Sequence, residues 1–364
     1  MNRTGSCIAS CSLLLWAGCS LPPGGSGGFK IAFVPSTPGQ YGIFSMNSDT
    51  TGLKILIQDR MAQVRFASWS PDGKRIAFYT VRGQDEDILK KYRMTDEYLL
   101  YVMDATGENQ KRLLDLPVVD FGWAPDSRHL FFISAYESPD RSSPEVLNGT
   151  RNPVAFVYVL DMQTGAATRL PGSGRNCSAS WSPDGTRLAV GFGDGENCGI
   201  YLISPDGGRS ERLTDGTTID FRPAWSADGR TIAYVAYPRA GADAKDTGVF
   251  VIGADGTGKR RLDDETVSYV MWSLDGSMLL LQSASTARLI DPNGRKQVLL
   301  AAAAGLRRIV NAVFTPDGKK VMFCSNDSGA WNIYSIGVDG KNRRTITGRT
   351  NSSNFCLSPL LARR

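Results

Sequence analysis

Aspartates at regularly spaced positions are the residues of this chain best suited to chemistry. Six copies of one short cassette occur, each an aromatic residue, a Ser, Ala or Thr, usually Pro, then Asp and usually Gly. The cassettes begin at Trp69, Trp123, Trp181, Trp225, Trp272 and Phe314, and their aspartates are Asp72, Asp126, Asp184, Asp228, Asp275 and Asp317. Two carboxylates that face each other could catalyse glycoside hydrolysis without a histidine. The sequence holds 36 acidic residues but does not show which of them pair in space.

Repetition argues against a catalytic role for the cassette aspartates. An Asp side chain in a turn can accept hydrogen bonds from its own local backbone, Pro presets φ near about −65°, and Gly tolerates positive φ. A side chain that occurs in every repeat is better explained by a hairpin turn than by an active site. The aromatic residue that opens each cassette likewise suits packing between repeats.

Histidine and metal chemistry find little support in the sequence. His129 is the only histidine of the chain, and it begins a strand directly after the second cassette, where a surface role is simpler. Both Ser-His-Asp and Cys-His catalysis need a histidine, and no His and Cys residues have the spacing of a zinc site. The Gly-containing stretch 191–195 lacks the following helix that a phosphate cradle needs. We therefore predict a protein that is not an enzyme and has no metal or cofactor.

The elements around each cassette are short strands. A strand such as 66–69 precedes the turn, and a nearly continuous apolar run such as 76–79 follows it, as expected for a strand covered on both faces. A third strand such as 200–203 comes next, and most repeats then pass through an Asp-Gly turn into a more basic fourth strand such as 259–262. Lys and Arg on an outer edge discourage association between sheet edges. Four antiparallel strands, repeated at roughly 40 to 60 residues, predict an all-β propeller.

The two ends of the chain complete the count of blades. Residues 29–34, 42–46 and 53–57 resemble the second, third and fourth strands of a repeat, but no first strand precedes them. Residues 354–359 resemble a first strand with nothing after it. We therefore predict a seven-bladed β-propeller of four-stranded antiparallel blades over residues 29–359, the last blade closed by both termini. Six blades are the alternative.

The cassette and its strand rhythm resemble the repeats of the TolB β-propeller family, and the resemblance covers about residues 29–359. Similar repeats occur in the propellers of prolyl oligopeptidases and dipeptidyl peptidases, where a hydrolase domain accompanies the propeller. The resemblance to TolB implies a periplasmic protein that contacts other proteins.

The first residues resemble the export signal of a bacterial lipoprotein. Residues 1–18 have one basic residue, a short apolar core and small residues before Cys19, too short for a membrane-spanning helix. The motif resembles the end of a lipobox, although Trp16 stands where Leu is usual. We expect Cys19 to carry the lipid, residues 19–28 to form a flexible tether and residues 360–364 to form a tail. The expected location is the cell envelope, lipid-anchored on its periplasmic or extracellular side; a secreted soluble protein is the alternative.

The charge of the chain argues against nucleic acid as a partner. It has 41 Lys and Arg against 36 Asp and Glu, a formal net charge of +5. These charges are interspersed rather than clustered in a basic patch, so we expect no nucleic-acid binding. Membrane contact is expected only through the lipid anchor.

Two cysteines form a candidate disulfide in an exported chain. Cys177 and Cys198 begin the first and third strands of one predicted blade, at the same end. Two strand spacings put them about 9 to 10 Å apart, beyond the bridging limit of about 7 Å unless the loop 193–197 folds inward. The alternative is two buried thiols. Cys324 and Cys356 lie in strands of neighbouring blades and are expected to be core residues.

Long loops between second and third strands form the candidate partner face. All such loops open on one face of a propeller, and three are long, at 82–98, 137–153 and 238–247. Ordered loops of this length are often functional, and their mixed charges with a few aromatics suit contact with a protein or peptide. The residues expected at the contact are Lys90, Tyr92, Arg93, Tyr136, Arg141 and Arg151.

These observations predict a non-enzymatic, envelope-anchored propeller that acts as an interaction scaffold for an envelope protein or peptide. Two alternatives stay open. One is a propeller enzyme that acts on carbohydrate through paired carboxylates, and the other is a periplasmic ligand sensor that uses the central channel.

Overall fold

The structure, a computed structural model, consists of seven four-stranded antiparallel sheets arranged as the blades of one propeller. It describes residues 29–33, 42–58, 64, 66–80, 98–139, 142–143, 146, 153–175, 177–192, 199–238, 246–295, 297–301, 305–327, 331–347 and 360–363. The predicted all-β, seven-bladed architecture is confirmed.

The 28 strands are numbered in chain order. They are β1 (Phe29–Phe33), β2 (Gly42–Asn47), β3 (Lys54–Gln58), β4 (Phe66–Trp69), β5 (Arg75–Thr80), β6 (Tyr98–Asp104), β7 (Lys111–Val118), β8 (Asp120–Trp123), β9 (His129–Ser134), β10 (Phe156–Asp161), β11 (Ala167–Arg169), β12 (Ser178–Trp181), β13 (Leu188–Phe192), β14 (Gly199–Ile203), β15 (Ser210–Arg212), β16 (Ile219–Trp225), β17 (Thr231–Tyr237), β18 (Gly248–Gly253), β19 (Arg260–Asp263), β20 (Tyr269–Trp272), β21 (Leu279–Gln282), β22 (Ala287–Ile290), β23 (Gln297–Leu299), β24 (Val310–Phe314), β25 (Lys320–Ser325), β26 (Asn332–Gly337), β27 (Arg344–Thr345) and β28 (Leu360–Arg363).

Each blade runs from an inner strand to an outer strand. Blade 1 contains β28, β1, β2 and β3 in that order, and blades 2 to 7 each take the next four strands of the chain. The first strands of successive blades contact one another, as β8 does with β12 and β12 with β16, so they surround the centre of the ring. The middle strands are the most buried, and all five residues of β13 are buried. The outer strands β11 and β15 are exposed throughout.

Both ends of the chain close blade 1, but the closing strand lies later than predicted. Phe29 pairs with Arg363 and Ala32 with Leu360, so β28 adds the inner strand that the N-terminal segment lacks. The prediction of a strand at 354–359 and a tail at 360–364 is therefore corrected by the pairing of β28 with β1. Pro359 has no backbone N–H for a ladder, and the apolar run that pairs begins directly after it. Residues 354–359 lie outside the described residues.

Candidate functional site: the long-loop face of the propeller

The cassette aspartates hold the turns between first and second strands, as the sequence predicts. In blade 2, Ser70 Oγ donates to Asp72 Oδ1 at 2.6 Å, and the backbone N–H of Lys74 donates to the same oxygen at 3.1 Å. The N–H of Arg75 in turn donates to Ser70 Oγ at 2.9 Å. The hydroxyl-to-carboxylate bond recurs at Ser182 and Asp184, Ser226 and Asp228, Ser273 and Asp275, and Thr315 and Asp317.

These contacts favour the ionised form of five cassette carboxyl groups. Burial raises the pKa of Asp184, but hydrogen bonds from Ser182 and Thr186 and the charge of Arg187 outweigh burial, so its pKa is lowered overall. The same kinds of contact lower the pKa of Asp72, Asp126, Asp228 and Asp275. A catalytic carboxylic acid needs a raised pKa to donate a proton near neutral pH. The lowered values fit a structural role for the cassettes.

His129 takes part in a turn of the same kind. Blade 3 has Ala124 where the other cassettes have Ser or Thr, so no hydroxyl is available to bond Asp126. Instead His129 Nδ1 lies 2.6 Å from Asp126 Oδ2, and the backbone N–H of His129 donates to Asp126 Oδ1 at 2.9 Å. The histidine therefore supports the turn of a cassette.

The opposite end of the propeller is the long-loop face. We define it as the end that carries the loops from second to third strands and the segments that enter each inner strand. Tyr136, in the loop after β9, is 37% exposed there, and its N–H donates to Ser134 Oγ at 3.1 Å. The other expected contact residues lie outside the described residues; they are Lys90, Tyr92, Arg93, Arg141 and Arg151. Those residues stay predictions.

Two inner strands bulge on this face. The pairing of β16 with β17 shifts between Phe221 and Ala224, and the pairing of β24 with β25 shifts between Val310 and Val313. Arg222 and Asn311 occupy the same position in the two bulges, with φ values of 55° and 54°. Side chains other than glycine are uncommon at positive φ. Bulges with such residues concentrate next to functional sites, so this pair marks the face independently of the loops.

Side chains of the preceding blade hold both bulges in place. Ser178 Oγ, from blade 4, accepts the backbone N–H of Arg222 at 2.9 Å. In blade 7, Gln282 Oε1 accepts the N–H of Ala312 at 3.2 Å, and the Tyr269 hydroxyl donates to the Ala312 carbonyl oxygen. The bulged backbones are therefore fixed before any partner arrives.

The bulges were missed by sequence reasoning, although one signal was present. Pro223 follows Arg222 inside a strand, and proline within an inner strand cannot donate to the ladder. Such a residue is typical of a bulge or a strand edge. Asn311 gave a weaker signal, because Asn tolerates positive φ but also occurs in ordinary strands.

Arginine side chains give the long-loop face exposed positive charge. The Arg222 guanidinium lies 5.1 Å from the ring centre of Phe221, and Arg308 lies 5.4 Å from the ring of Trp331. Arg222 is half-buried and forms no ion pair within the described ranges. By contrast, Arg288 on blade 6 contacts the carboxylate of Asp263 through two nitrogens.

A buried polar cluster lies between blades 4 and 5. The Thr218 hydroxyl donates to Asp220 Oδ1 at 2.6 Å, whereas the buried Oδ2 of Asp220 has no hydrogen-bond partner. Burial raises the pKa of Asp220 and outweighs the hydrogen bonds from Thr218 and Thr214. The Tyr234 hydroxyl is also buried and unpartnered; burial raises its pKa, and the charge of Asp220 raises it further. Both side chains are 0% exposed, so a large substrate cannot reach them.

Cys177 is a buried thiol in the structure. Its Sγ lies 3.1 Å from the carbonyl oxygen of Gly174 and 3.4 Å from that of Ala155. This is the arrangement given above as the alternative to a disulfide with Cys198, which lies outside the described residues. Cys324 is buried in blade 7, as expected, and it is disulfide-bonded.

Membrane spans and metal clusters are both missing from the described part of the chain. Within it, no helix is long and apolar enough to cross a membrane. The same residues contain no group of three or more His, Cys, Asp or Glu that could hold a metal ion.

The match to each curated relative covers only part of that relative's length. An uncharacterized protein of Agrobacterium fabrum is 26% identical over 178 residues, which is 46% of this chain and 56% of the relative. Dipeptidyl-peptidase 5 of Porphyromonas gingivalis is 23% identical over 302 residues, covering 70% of this chain and 42% of the peptidase. The chain therefore spans about half the length of these relatives.

Solved structures and a family profile agree on the fold. An oligogalacturonate lyase in complex with manganese superposes with a TM-score of 0.61 at 16% identity, over 84% of this chain and 85% of the lyase. TolB from Acinetobacter baumannii gives 0.50 at 16% identity, over 93% of this chain and 65% of TolB. Residues 88–304 match the TolB beta propeller domain. The chain belongs to the TolB β-propeller family.

Proposed function

We propose that this protein is a non-catalytic propeller of the bacterial cell envelope that binds a protein or peptide on its long-loop face. The observation that carries the proposal is the pair of bulged inner strands on that face, which neighbouring blades fix through Ser178, Tyr269 and Gln282. A rigid backbone beside variable loops is the usual arrangement of a binding surface.

Two further observations support a binding role. The recurring carboxyl groups are engaged in turns at the opposite end of the propeller, and their surroundings lower the pKa of Asp72, Asp184 and Asp275. Membership of the TolB family and the similarity to TolB from Acinetobacter baumannii support an envelope protein that contacts other proteins.

Loop replacement with affinity capture tests the binding role. The tagged protein is incubated with solubilised native envelope, beside a variant in which residues 82–98 and 137–153 are each replaced by a short Gly-Ser turn. The control variant shortens the turn 254–258, which lies at the opposite end of blade 5. We expect the wild type and the control to retain the same envelope protein and the loop variant to lose it. Equal capture by all three would contradict the assignment of the partner to this face.

The envelope location rests on Cys19 and has its own test. We propose that this cysteine carries the lipid and that residues 19–28 tether the propeller. Cells are grown with an alkyne fatty acid, and the wild type is compared with Cys19→Ala. Label on the wild type alone supports the anchor, whereas equal labelling of both removes Cys19 as the lipid site. A secreted soluble protein would carry no label in either form.

A carbohydrate-acting enzyme is the second candidate, because the fold is also that of an oligogalacturonate lyase. Asp220 is the described aspartate with a raised pKa, but its full burial keeps it from substrate. The purified protein is assayed against acidic and neutral oligosaccharides. Cleavage that disappears on substitution of one Asp or Glu, together with no captured partner, would favour the enzyme over the scaffold.

A further inference from the structure

We propose that Arg222 is an anion-binding residue that takes a carboxylate from an acidic segment of the partner. This inference rests on the function proposed above and names the chemistry of the partner at one point of the long-loop face.

The backbone at Arg222 is held in a conformation that costs free energy. Its φ is 55°, and Pro223 follows it, so the strand loses one ladder donor. Positive φ is unfavourable for a residue other than glycine. The bond from the Arg222 N–H to Ser178 Oγ, 2.9 Å long, ties the strained residue to blade 4. Such strain points to a position whose side chain must be aimed in a particular direction.

The side chain at this position has no ion pair within the described part of the chain. No carboxylate there lies within ion-pair distance of the Arg222 guanidinium, which lies 5.1 Å from the ring centre of Phe221. Arg288, which is also half-buried, is paired with Asp263, whereas half-buried Arg187 contacts the ring of Trp225 and has no ion pair among the described residues. Burial raises the pKa of Tyr237, in the same blade, and the charge of Arg222 opposes that shift. The Tyr237 hydroxyl donates to the Val267 carbonyl oxygen at 2.7 Å.

Position 222 can be compared with its counterpart in blade 7. Asn311 has the same backbone conformation three residues before the cassette aromatic, so the bulge does not need an arginine. The guanidinium is therefore available for a function other than maintaining the turn.

A carboxylate is the anion that best fits a single half-buried arginine. A planar guanidinium binds a carboxylate through two parallel hydrogen bonds, and an aromatic ring beside it excludes water from one side. Long polyanions require rows of cations, whereas the charges of this chain are interspersed. Ile219 and Phe221 lie beside the arginine in sequence and are half-buried, so they can contact apolar residues next to the Asp or Glu of a bound peptide.

Retention of peptide pools on the full-length immobilised protein tests the inference. One pool has ten-residue peptides with four positions fixed as Asp or Glu and the others randomised, and the matched pool carries Asn or Gln at those four positions. The variants are Arg222→Asn, which keeps a residue tolerant of this backbone, and Arg222→Lys, which keeps the charge without the planar fork. The control is Arg230→Asn, which removes an exposed arginine of the same blade at its opposite end.

We expect the wild type and Arg230→Asn to retain the acidic pool at least fivefold better than the amide pool. Arg222→Asn should abolish this preference, and Arg222→Lys should reduce it, with melting temperatures confirming that each variant folds. Equal retention of both pools by the wild type would overturn the inference, as would equal losses in Arg222→Asn and Arg230→Asn. The same retention assay is run with an acidic oligosaccharide. If Arg222→Asn loses retention of the oligosaccharide but not of the acidic peptide pool, the ligand is not a peptide.

The outcome is separable from that of the proposed function. If loop replacement abolishes partner capture but Arg222→Asn leaves both capture and pool preference intact, only the role of Arg222 fails. If loop replacement leaves capture intact, the proposed function fails while the pool measurement still reports on Arg222.

Discussion

Trp181 Nε1 donates a hydrogen bond to the carbonyl oxygen of Gly122, 3.3 Å away, and so ties blade 4 to the inner strand of blade 3. The same bond joins Trp123 to Ser68 at 3.2 Å and Trp272 to Ala224 at 3.1 Å. In each case the acceptor directly precedes the cassette tryptophan of the preceding blade. Trp225 and Trp69 depart from this pattern, because the buried Nε1 of each has no partner among the described residues. The seam between blades 4 and 5 therefore lacks a contact that other seams have.

This difference predicts unequal costs for one substitution at two equivalent positions. Trp181→Phe removes a hydrogen bond between blades, whereas Trp225→Phe removes a donor that was already unpaired. Both lose similar apolar area, so we expect Trp181→Phe to lower the free energy of unfolding by about 1 kcal/mol more than Trp225→Phe. Chemical denaturation measures both variants. Equal losses would show that the indole hydrogen bond does not stabilise the seam.

In the cassette turn of blade 3, Ser127 occupies the position that is Gly in the other cassettes, and its φ is 57°. Its Oγ accepts the N–H of Asp72 in blade 2 at 2.9 Å, and its carbonyl oxygen accepts a bond from Arg75. Ser127→Ala keeps the backbone strain and loses the hydroxyl, so we expect a loss of about 1 kcal/mol. Ser127→Gly loses the same bond but relieves the strain, and should be close to neutral. Thermal unfolding of the pair tests this, and a larger loss for Gly than for Ala would refute it.

The raised pKa of Asp220 predicts a pH-dependent effect of Asp220→Asn. At pH values between the ordinary pKa of 3.8 and the raised pKa of Asp220, the folded protein binds more protons than the unfolded chain. The stability that this group contributes is therefore present below pH 3.8 and falls as the pH rises. The amide cannot ionise and keeps an acceptor for Thr218. The variant should match the wild type near pH 3.5 and melt at a higher temperature near pH 7.

Asp228→Asn is the matched control, with the opposite sign. Hydrogen bonding from Ser226 lowers the pKa of Asp228, so its contribution is present above pH 3.8 and is lost as pH falls. This variant should melt below the wild type near pH 7, and the gap should close toward low pH. Melting curves at several pH values measure both, and the same sign for the two variants would contradict the assignments.

Deletion of residues 360–364 tests the closure of blade 1. Four residues of β28 pair with β1, from Phe29 with Arg363 to Ala32 with Leu360. Without them blade 1 loses its inner strand, and we expect a loss of roughly 2 to 4 kcal/mol, at about 1 kcal/mol per ladder bond. Deletion of Arg364 alone is the control and should be neutral. Identical denaturation midpoints for both deletions would rule out the closure.

The repeat made the architecture predictable because each cassette combines three local signals, an aromatic anchor, a turn and an apolar strand. Strand boundaries at the end of the chain were less predictable, since residues 354–359 and 360–363 are both apolar and only the pairing with β1 distinguishes them. Loop length alone predicted which face carries the candidate site. The bulges on that face could not be predicted, because the positive φ at Arg222 depends on how blade 4 contacts β16.

The pairing of β1 with β28 also has a consequence for how the protein is made. The two strands lie at opposite ends of the sequence, so their contact carries the largest loop-closure entropy in the molecule. Blades 2 to 7 can form as their strands emerge in order, but blade 1 must wait for the last residues. We expect its amides to gain protection from hydrogen exchange last during refolding. Until then β1 presents an open edge, and the ring of blades stays unclosed.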